Sequence, residues 1–132
     1  MTDKIKVVAL ALFCKQEQKY LIVRRGPDQS GAGFWEFAGG KVEAGESDLS
    51  ALVREIKEEL QFDLSAENLY FLARHDYAYP NRFVDISLFK YDVDSCCVPT
   101  LIDHDQYAWV STQDLKNYQL SPADIYFLNF LI

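Results

Sequence analysis

The stretch from Gly40 to Phe62, GKVEAGESDLSALVREIKEELQF, places a glycine loop directly before a segment with helical periodicity. Ser47 is a helix-capping residue type, and Leu49, Leu52, Val53, Ile56 and Leu60 recur at three- and four-residue spacing, which predicts an amphipathic helix from Ser47 to about Leu60. Glu55 precedes Glu58 by three residues and Glu59 by four, so the three carboxylates share one face, apart from the apolar stripe. Like charges at these spacings cost an isolated helix about 0.2–0.5 kcal/mol per pair, so such a face calls for a cation. Between Lys41 and Asp63 seven acidic side chains stand against three basic ones, which puts four of the chain's seven net negative charges here. A solvated acidic face, offset by Arg54 and Lys57, is the alternative for the glutamates taken alone.

The neighbourhood sharpens the reading. Gly39-Gly40-Lys41 and Ala44-Gly45-Glu46 form a loop entering the helix at its N-terminus, where free N–H groups and the positive dipole end favour anions. Hard oxygen ligands beside an anion site point to Mg²⁺, with Mn²⁺ as the substitute, held against a phosphate chain.

Outward from this stretch the chain alternates between strands and helices. Ile5 to Cys14 is almost continuously apolar, as in a strand buried on both faces, and after a turn at Lys15–Gln18 the pattern repeats from Tyr20 to Val23, ending in Arg24-Arg25. Residues 26–33 are loop by composition, and Phe34-Trp35-Glu36-Phe37 reads as a short strand. Asn68 to Tyr79 and Arg82 to Val93 read as strands joined across Pro80-Asn81, followed by loop from Asp94 to Asp105 and a strand at Tyr107–Val110. Ser111–Asp114 starts a helical turn, and Ser121-Pro122-Ala123-Asp124 opens a C-terminal helix, Ile125 to Ile132, with proline at its first position. That order predicts an α/β fold, layered, with mixed strand directions.

A chain of 132 residues, 49% hydrophobic and 14% aromatic, is sized for a single domain, 1–132, with an ample core. Its net charge of −7 argues against duplex nucleic acid or anionic membrane as partners, so a phosphorylated ligand would have to be bridged by metal. Cys14, Cys96 and Cys97 are odd in number and lack metal-ligand spacing, which suits reduced thiols in a cytoplasmic protein. No apolar targeting segment follows Met1-Thr2-Asp3-Lys4, and no run approaches a membrane span of roughly 18 apolar residues.

Gly40, five residues, Glu46, seven residues, then Arg54-Glu55-Ile56-Lys57-Glu58-Glu59 resembles the Nudix box of the Nudix hydrolases. One element departs: Gln61 stands where that family carries glycine, just past the helix, at a position that favours a left-handed residue. The resemblance extends to Phe34–Glu43, which looks like the matching segment of MutT-type members, bacterial CTP pyrophosphohydrolases in particular. Tyr79-Pro80-Asn81-Arg82 and Leu120–Ile125 look like the same subgroup in shorter matches.

The resemblance implies a Nudix-type α/β/α sandwich with a mixed central sheet. It implies Mg²⁺ bound by Glu55, Glu58 and Glu59 with the Gly39 carbonyl, and a nucleoside triphosphate cut to monophosphate and pyrophosphate. Arg54 would orient a box glutamate and Glu46 brace the loop, with the general base either a box glutamate or a loop acid. Asp103, six residues before Trp109, is the loop candidate for ligand or base, with a solvated loop aspartate as its alternative. Arg25 can reach a substrate phosphate or be a surface arginine, and Lys41 belongs to the same substrate-facing loop. Phe37, Arg82 and Asp124 are the base-pocket candidates. Asp124 is the one to set base choice, although its place three residues after Ser121 also fits a helix cap. Trp35, Tyr77 and Tyr79 read as packing residues, and His75 and His104 as structural or solvated. The expected substrate is a small nucleotide, CTP, dCTP, 5-methyl-dCTP or 8-oxo-dGTP, in nucleotide-pool sanitation. Monomer and homodimer both remain open, as do nucleotide sugars, dinucleoside polyphosphates and a non-catalytic nucleotide-binding role.

Overall fold

The computed structural model describes residues 4–131; the predicted helix end at Ile132 and the Met1–Asp3 leader reading fall outside them. Two long strands form the centre of the sheet. β1 (Lys4–Cys14) runs parallel to β6 (Arg82–Val93), in continuous register from Lys4↔Phe83 to Cys14↔Val93. Strand β2 (Lys19–Arg25) pairs antiparallel with the far end of β1, then diverges to pair with β3 (Trp35–Glu36) and with β7 (His104–Val110). The near end of β1 pairs instead with β4 (Gly39–Lys41), and β5 (Tyr70–Tyr79) closes a hairpin with β6 across Pro80-Asn81.

Alternation along β1 divides the core between two faces. Val8, Leu10 and Leu12 pack with Ala51, Leu52, Ile56 and Leu60 of helix α1 (Asp48–Leu60). Ala9 and Ala11 point the other way, into a cluster with Ile22, Ile86, Leu88, Leu115, Leu120 and Phe127. That second face is covered by α2 (Thr112–Leu115), α3 (Pro122–Ile125) and a 3₁₀ segment, Tyr126–Phe130. The mixed sheet thus lies between helical layers, as expected. Leu52 and Ile56 are wholly buried and Leu60 nearly so, each stabilising the docking of α1 by about 1.5–3 kcal/mol.

Four elements differ from the sequence expectation. Strand β4 is a strand despite its two glycines because β1 passes so close that a Cβ on Gly39 would strike the Val8 carbonyl oxygen. Strand β7 starts three residues earlier, at His104, since its polar first half is held by pairing with β2 and by Arg24, whose Nε and Nη2 each donate to Asp105 at 2.8 Å. Strand β5 starts at Tyr70, after a 3₁₀ turn at Ala66–Asn68. The C-terminal helix is one α turn continued as 3₁₀.

Candidate active site

The carboxylate face is built from the start of α1. Ser47 caps the helix through its side-chain oxygen, which accepts from Ser50 N–H at 3.1 Å, and Gly45 supplies a left-handed turn (φ 84°) just before it. Arg54 joins the loop to the helix. Its guanidinium donates to both oxygens of Glu46 (2.7 and 2.9 Å), to Glu55 Oε1 (2.9 Å), and to the Lys41 carbonyl (3.0 Å), with Glu58 Oε2 at 3.4 Å. Glu46 also accepts from Glu43 N–H at 2.9 Å, and these bonds hold its carboxyl down to about 2, the Arg54 pairing contributing most. One arginine therefore ties the glycine loop, strand β4 and the helix into a single unit.

The three glutamates sit at graded depth. Glu58 is 60% exposed, Glu55 16% and Glu59 11% by side chain. Burial, then the hydrogen bond and charge of Glu55 with the charges of Glu36 and Asp103, push the Glu59 carboxyl up to about 9. Asp103 is exposed, and its backbone carbonyl closes over Gly26, where a Cβ would approach within 2.7 Å. Gly40 cradles Glu55: a Cβ there would run into the Glu55 carboxylate. In the β1–β4 ladder Ala38 and Val42 bond to β1, so the Gly39 carbonyl, at the alternate position opposite Ala9, is directed off the ladder. Hard oxygen donors at a place where carboxylates repel one another fit a divalent cation, and Glu55, Glu59, Glu58 and the Gly39 carbonyl are the groups able to hold it.

Beside this face lies a cavity of about 190 Å³ to which Gly39, Gly40 and Lys41 contribute one wall. Arg25, Phe37, Arg82 and Asp124 all line it, so the sequence candidates for substrate contact are brought together. They differ in what they present. Phe37 is only 3% exposed and serves mainly as packing floor. Arg25 is engaged already, by Glu36 (3.1 Å to Oε2), by the Ser30 carbonyl and by Gln29, and so clamps the 26–33 loop. Asp124 is buried, and its Oδ1 has no hydrogen-bond partner. Burial and the nearby Glu36 charge raise its pKa well above the usual carboxylate range, opposed by the Phe37 N–H and the Arg25 charge. It does not act as the helix cap: the Ser121 N–H that it would satisfy donates to the Trp35 carbonyl at 2.7 Å, and Ser121 Oγ is taken by the Tyr79 hydroxyl at 2.7 Å. Tyr79, read as packing, also lines the cavity, with the Arg82 guanidinium 5.0 Å above its ring.

A profile of the NUDIX domain matches residues 4–130. The chain belongs to the Nudix family. By that kinship it is an enzyme, a Nudix hydrolase, and Nudix hydrolases generally use a divalent metal. It is 34% identical over 119 residues to a CTP pyrophosphohydrolase of Escherichia coli, covering 90% of this chain and 86% of that one. It is 36% identical over 90 residues to an 8-oxo-dGTP diphosphatase of Proteus vulgaris, covering 67% and 79%. The solution structure of the E. coli ORF135 protein superposes with a TM-score of 0.80 at 32% identity, over 98% of this chain and 89% of that one. No helix among the described residues is long and apolar enough to cross a membrane.

Two residues of this Nudix site escaped the sequence reading. Glu36, on the two-residue strand β3, lines the cavity and joins Arg25 to His104, whose Nε2 lies 2.9 Å from Glu36 Oε2. The buried His104 ring presents its other nitrogen, without a hydrogen-bond partner, 3.7 Å from Glu59 Oε1. A lone charge inside the aromatic run Phe34–Phe37 was the available sign for Glu36; His104 had none, since its partners come from β3 and α1. His75, by contrast, stacks on Tyr126 at 3.9 Å, away from both.

Proposed function

We propose that this single-domain Nudix hydrolase is a Mg²⁺-dependent nucleoside triphosphate pyrophosphohydrolase, releasing nucleoside monophosphate and pyrophosphate, with Mn²⁺ able to replace Mg²⁺. Its substrates are cytosine or modified triphosphates such as CTP, dCTP, 5-methyl-dCTP or 8-oxo-dGTP, and its role is sanitation of the cytoplasmic nucleotide pool. The observation that carries the reading is continuity: the Gly39–Lys41 strand is at once a wall of the cavity holding Asp124 and the cradle for the Arg54–Glu55 face. A base seated in the cavity thereby has its phosphates delivered to the glutamates.

When bound, the cation polarises the phosphate chain and makes a bound water more acidic. Glu55, Glu58 and Glu59 would hold it, joined by Asp103 from the β7 side. Arg54 orients Glu55, while Glu46 fixes Arg54. Lys41 and Arg82 stand at the cavity wall, where they offset phosphate charge. Asp124 reads the base: its unpartnered oxygen accepts from an exocyclic amine when ionised, and the protonated carboxyl donates to a ring nitrogen or carbonyl.

The test is pyrophosphate release with Mg²⁺ and with EDTA across CTP, dCTP, 5-methyl-dCTP, 8-oxo-dGTP, dGTP, ADP-ribose and diadenosine polyphosphate, for the wild type and Asp124→Asn. Metal-dependent monophosphate formation from a cytosine or oxidised triphosphate, with preference altered in Asp124→Asn, is expected. Activity confined to ADP-ribose or the dinucleotide would overturn the substrate assignment, and hydrolysis of none of them would overturn the enzymatic reading.

A further inference from the structure

At the opposite end of β1, six residues and roughly 20 Å beyond the Val8↔Gly40 pair, a second constellation stands apart from the carboxylate face. Cys14 ends β1 and is fully buried, Glu17 sits exposed in the β1–β2 turn, and Cys96 lies half-buried in the loop after β6. The two Sγ atoms and a Glu17 carboxylate oxygen all lie within 4.8 Å of one another. We propose that Cys14, Glu17 and Cys96 form a binding site for a thiophilic divalent cation, Zn²⁺ being the ion their chemistry matches, separate from the site of nucleotide hydrolysis.

Geometry carries the first part of the argument. Tetrahedral Zn²⁺ with bonds of about 2.3 Å to sulfur and 2.0–2.2 Å to oxygen needs its ligand atoms about 3.3–3.8 Å apart, so small side-chain movements close this triad on an ion. The backbone that presents the ligands is already fixed. Lys15 N–H donates to the Val93 carbonyl (2.9 Å) and Gln16 N–H to that of Asp94 (3.1 Å), which ties the turn to the loop. Gln18, left-handed at φ 57°, closes the turn through its N–H to the Cys14 carbonyl at 2.8 Å. Beyond the triad, Trp109 Nε1 donates to the Cys97 carbonyl at 2.9 Å and holds the loop from the other side.

Chemistry carries the second part. The Cys96 thiol faces both Cys14 and the Glu17 carboxylate. Two thiol sulfurs and a carboxylate oxygen converge there, with the Lys19 ammonium meeting Glu17 at 3.3 Å in solvent. Zn²⁺ binds cysteine as thiolate, so its binding releases the thiol protons to water. Two thiolates and one carboxylate select Zn²⁺ over Mg²⁺, which prefers oxygen alone, so the two sites sort their metals by ligand type. Water completes the shell on the exposed side of Glu17. Cys97 is not part of the triad; it packs on the α1 side of the sheet and serves as an internal control.

The experiment loads reduced full-length protein with Zn²⁺ in the presence of excess Mg²⁺, removes unbound metal by gel filtration, and counts Zn²⁺ per chain. Co²⁺ is added in parallel for its thiolate-to-metal charge-transfer band. One equivalent and the band are expected in the wild type, in Cys97→Ser and in Glu58→Gln, the last showing that the ion is not on the carboxylate face. Both should be lost in Cys96→Ser, and Glu17→Gln should weaken retention at least tenfold. Cys14→Ser tests the same ligand, but Cys96→Ser decides, because a half-buried loop position tolerates the change without unfolding, as its melting curve will check. Equal retention in Cys96→Ser, absence of the band in the wild type, or a Cys14–Cys96 disulfide found by mass in protein that retains no metal would each overturn the site.

Discussion

Arg54 holds Glu46 in a two-pronged grip, Nε to Oε2 at 2.7 Å and Nη2 to Oε1 at 2.9 Å, eight residues apart across the loop–helix junction. The planar fork of a guanidinium matches a carboxylate in this way and an ammonium cannot, so the pair fixes the direction of the whole group. Because the remaining nitrogen bonds Glu55 at 2.9 Å, the direction is passed to a glutamate of the metal face.

Arg54→Lys should therefore keep the charge and lose the aim. Partners that orient metal ligands typically cost about 10- to 100-fold in activity or metal affinity when changed. We expect kcat to fall in that range, with the Mg²⁺ requirement moved to higher concentration and KM for nucleotide little altered. Kinetics over a Mg²⁺ titration decide the point: unchanged kcat in the lysine variant would mean that Arg54 does not position Glu55.

Glu58 offers a cleaner separation of chemistry from folding. It is 60% exposed, and its polar contact is Arg54 at 3.4 Å, so the fold does not lean on it. Glu58→Gln should leave the melting temperature within error of the wild type while abolishing metal-dependent turnover. Retained turnover in a folded variant would remove Glu58 from the metal assignment.

Much of this arrangement is legible in local sequence. The α1 stripe, its Ser47 cap and the three-carboxylate face come from spacing alone, because helix periodicity and capping act within a few residues. Strand β4 is illegible for the opposite reason: Gly39 and Gly40 are needed by the backbone of β1 and by Glu55, neither of which lies near them in sequence. Glu36 and His104 meet across 68 residues of chain, and the polar start of β7 that carries His104 shows no apolar alternation. Tyr79 is only half-legible, since packing on Ser121 and lining the cavity fall to different parts of one side chain.

The buried acid gives the protein a pH signature in the absence of metal. Glu59 titrates near 9 in the folded chain against 4.5 for a free glutamate, so the native state holds a proton that the unfolded chain releases. Its contribution to stability is complete below about pH 4.5 and is lost as pH rises through about 9. The raised Asp124 acts in the same direction, whereas Glu46, held at about 2, contributes above about 4.5 and is lost toward about 2. In EDTA the melting temperature should fall from weakly acid to alkaline pH, and Glu59→Gln should flatten that fall, leaving the Asp124 part. Added Mg²⁺ should reverse the slope, since the metal takes the carboxylate form. An unaltered slope in Glu59→Gln would place the proton elsewhere.

Gln61 ends α1 in the left-handed region, φ 57° and ψ 37°, at the position where the family's box carries glycine. A side chain there costs about 1–2 kcal/mol, because its Cβ crowds the following carbonyl. The chain recovers some of this through Gln61 itself, whose N–H and Nε2 both donate to the Lys57 carbonyl, at 3.1 and 2.9 Å. The N–H bond survives in Gln61→Gly, and the exposed side-chain bond is worth little in water. Glycine loses about 0.5–1 kcal/mol more conformational entropy on folding, which returns part of the gain. The net expectation is stabilisation of up to about 1 kcal/mol, read as a higher urea midpoint at unchanged m. Since Gln61 touches neither the carboxylate face nor the cavity, kcat and KM should not move. A lower midpoint would show that the Nε2–Lys57 bond outweighs the backbone strain.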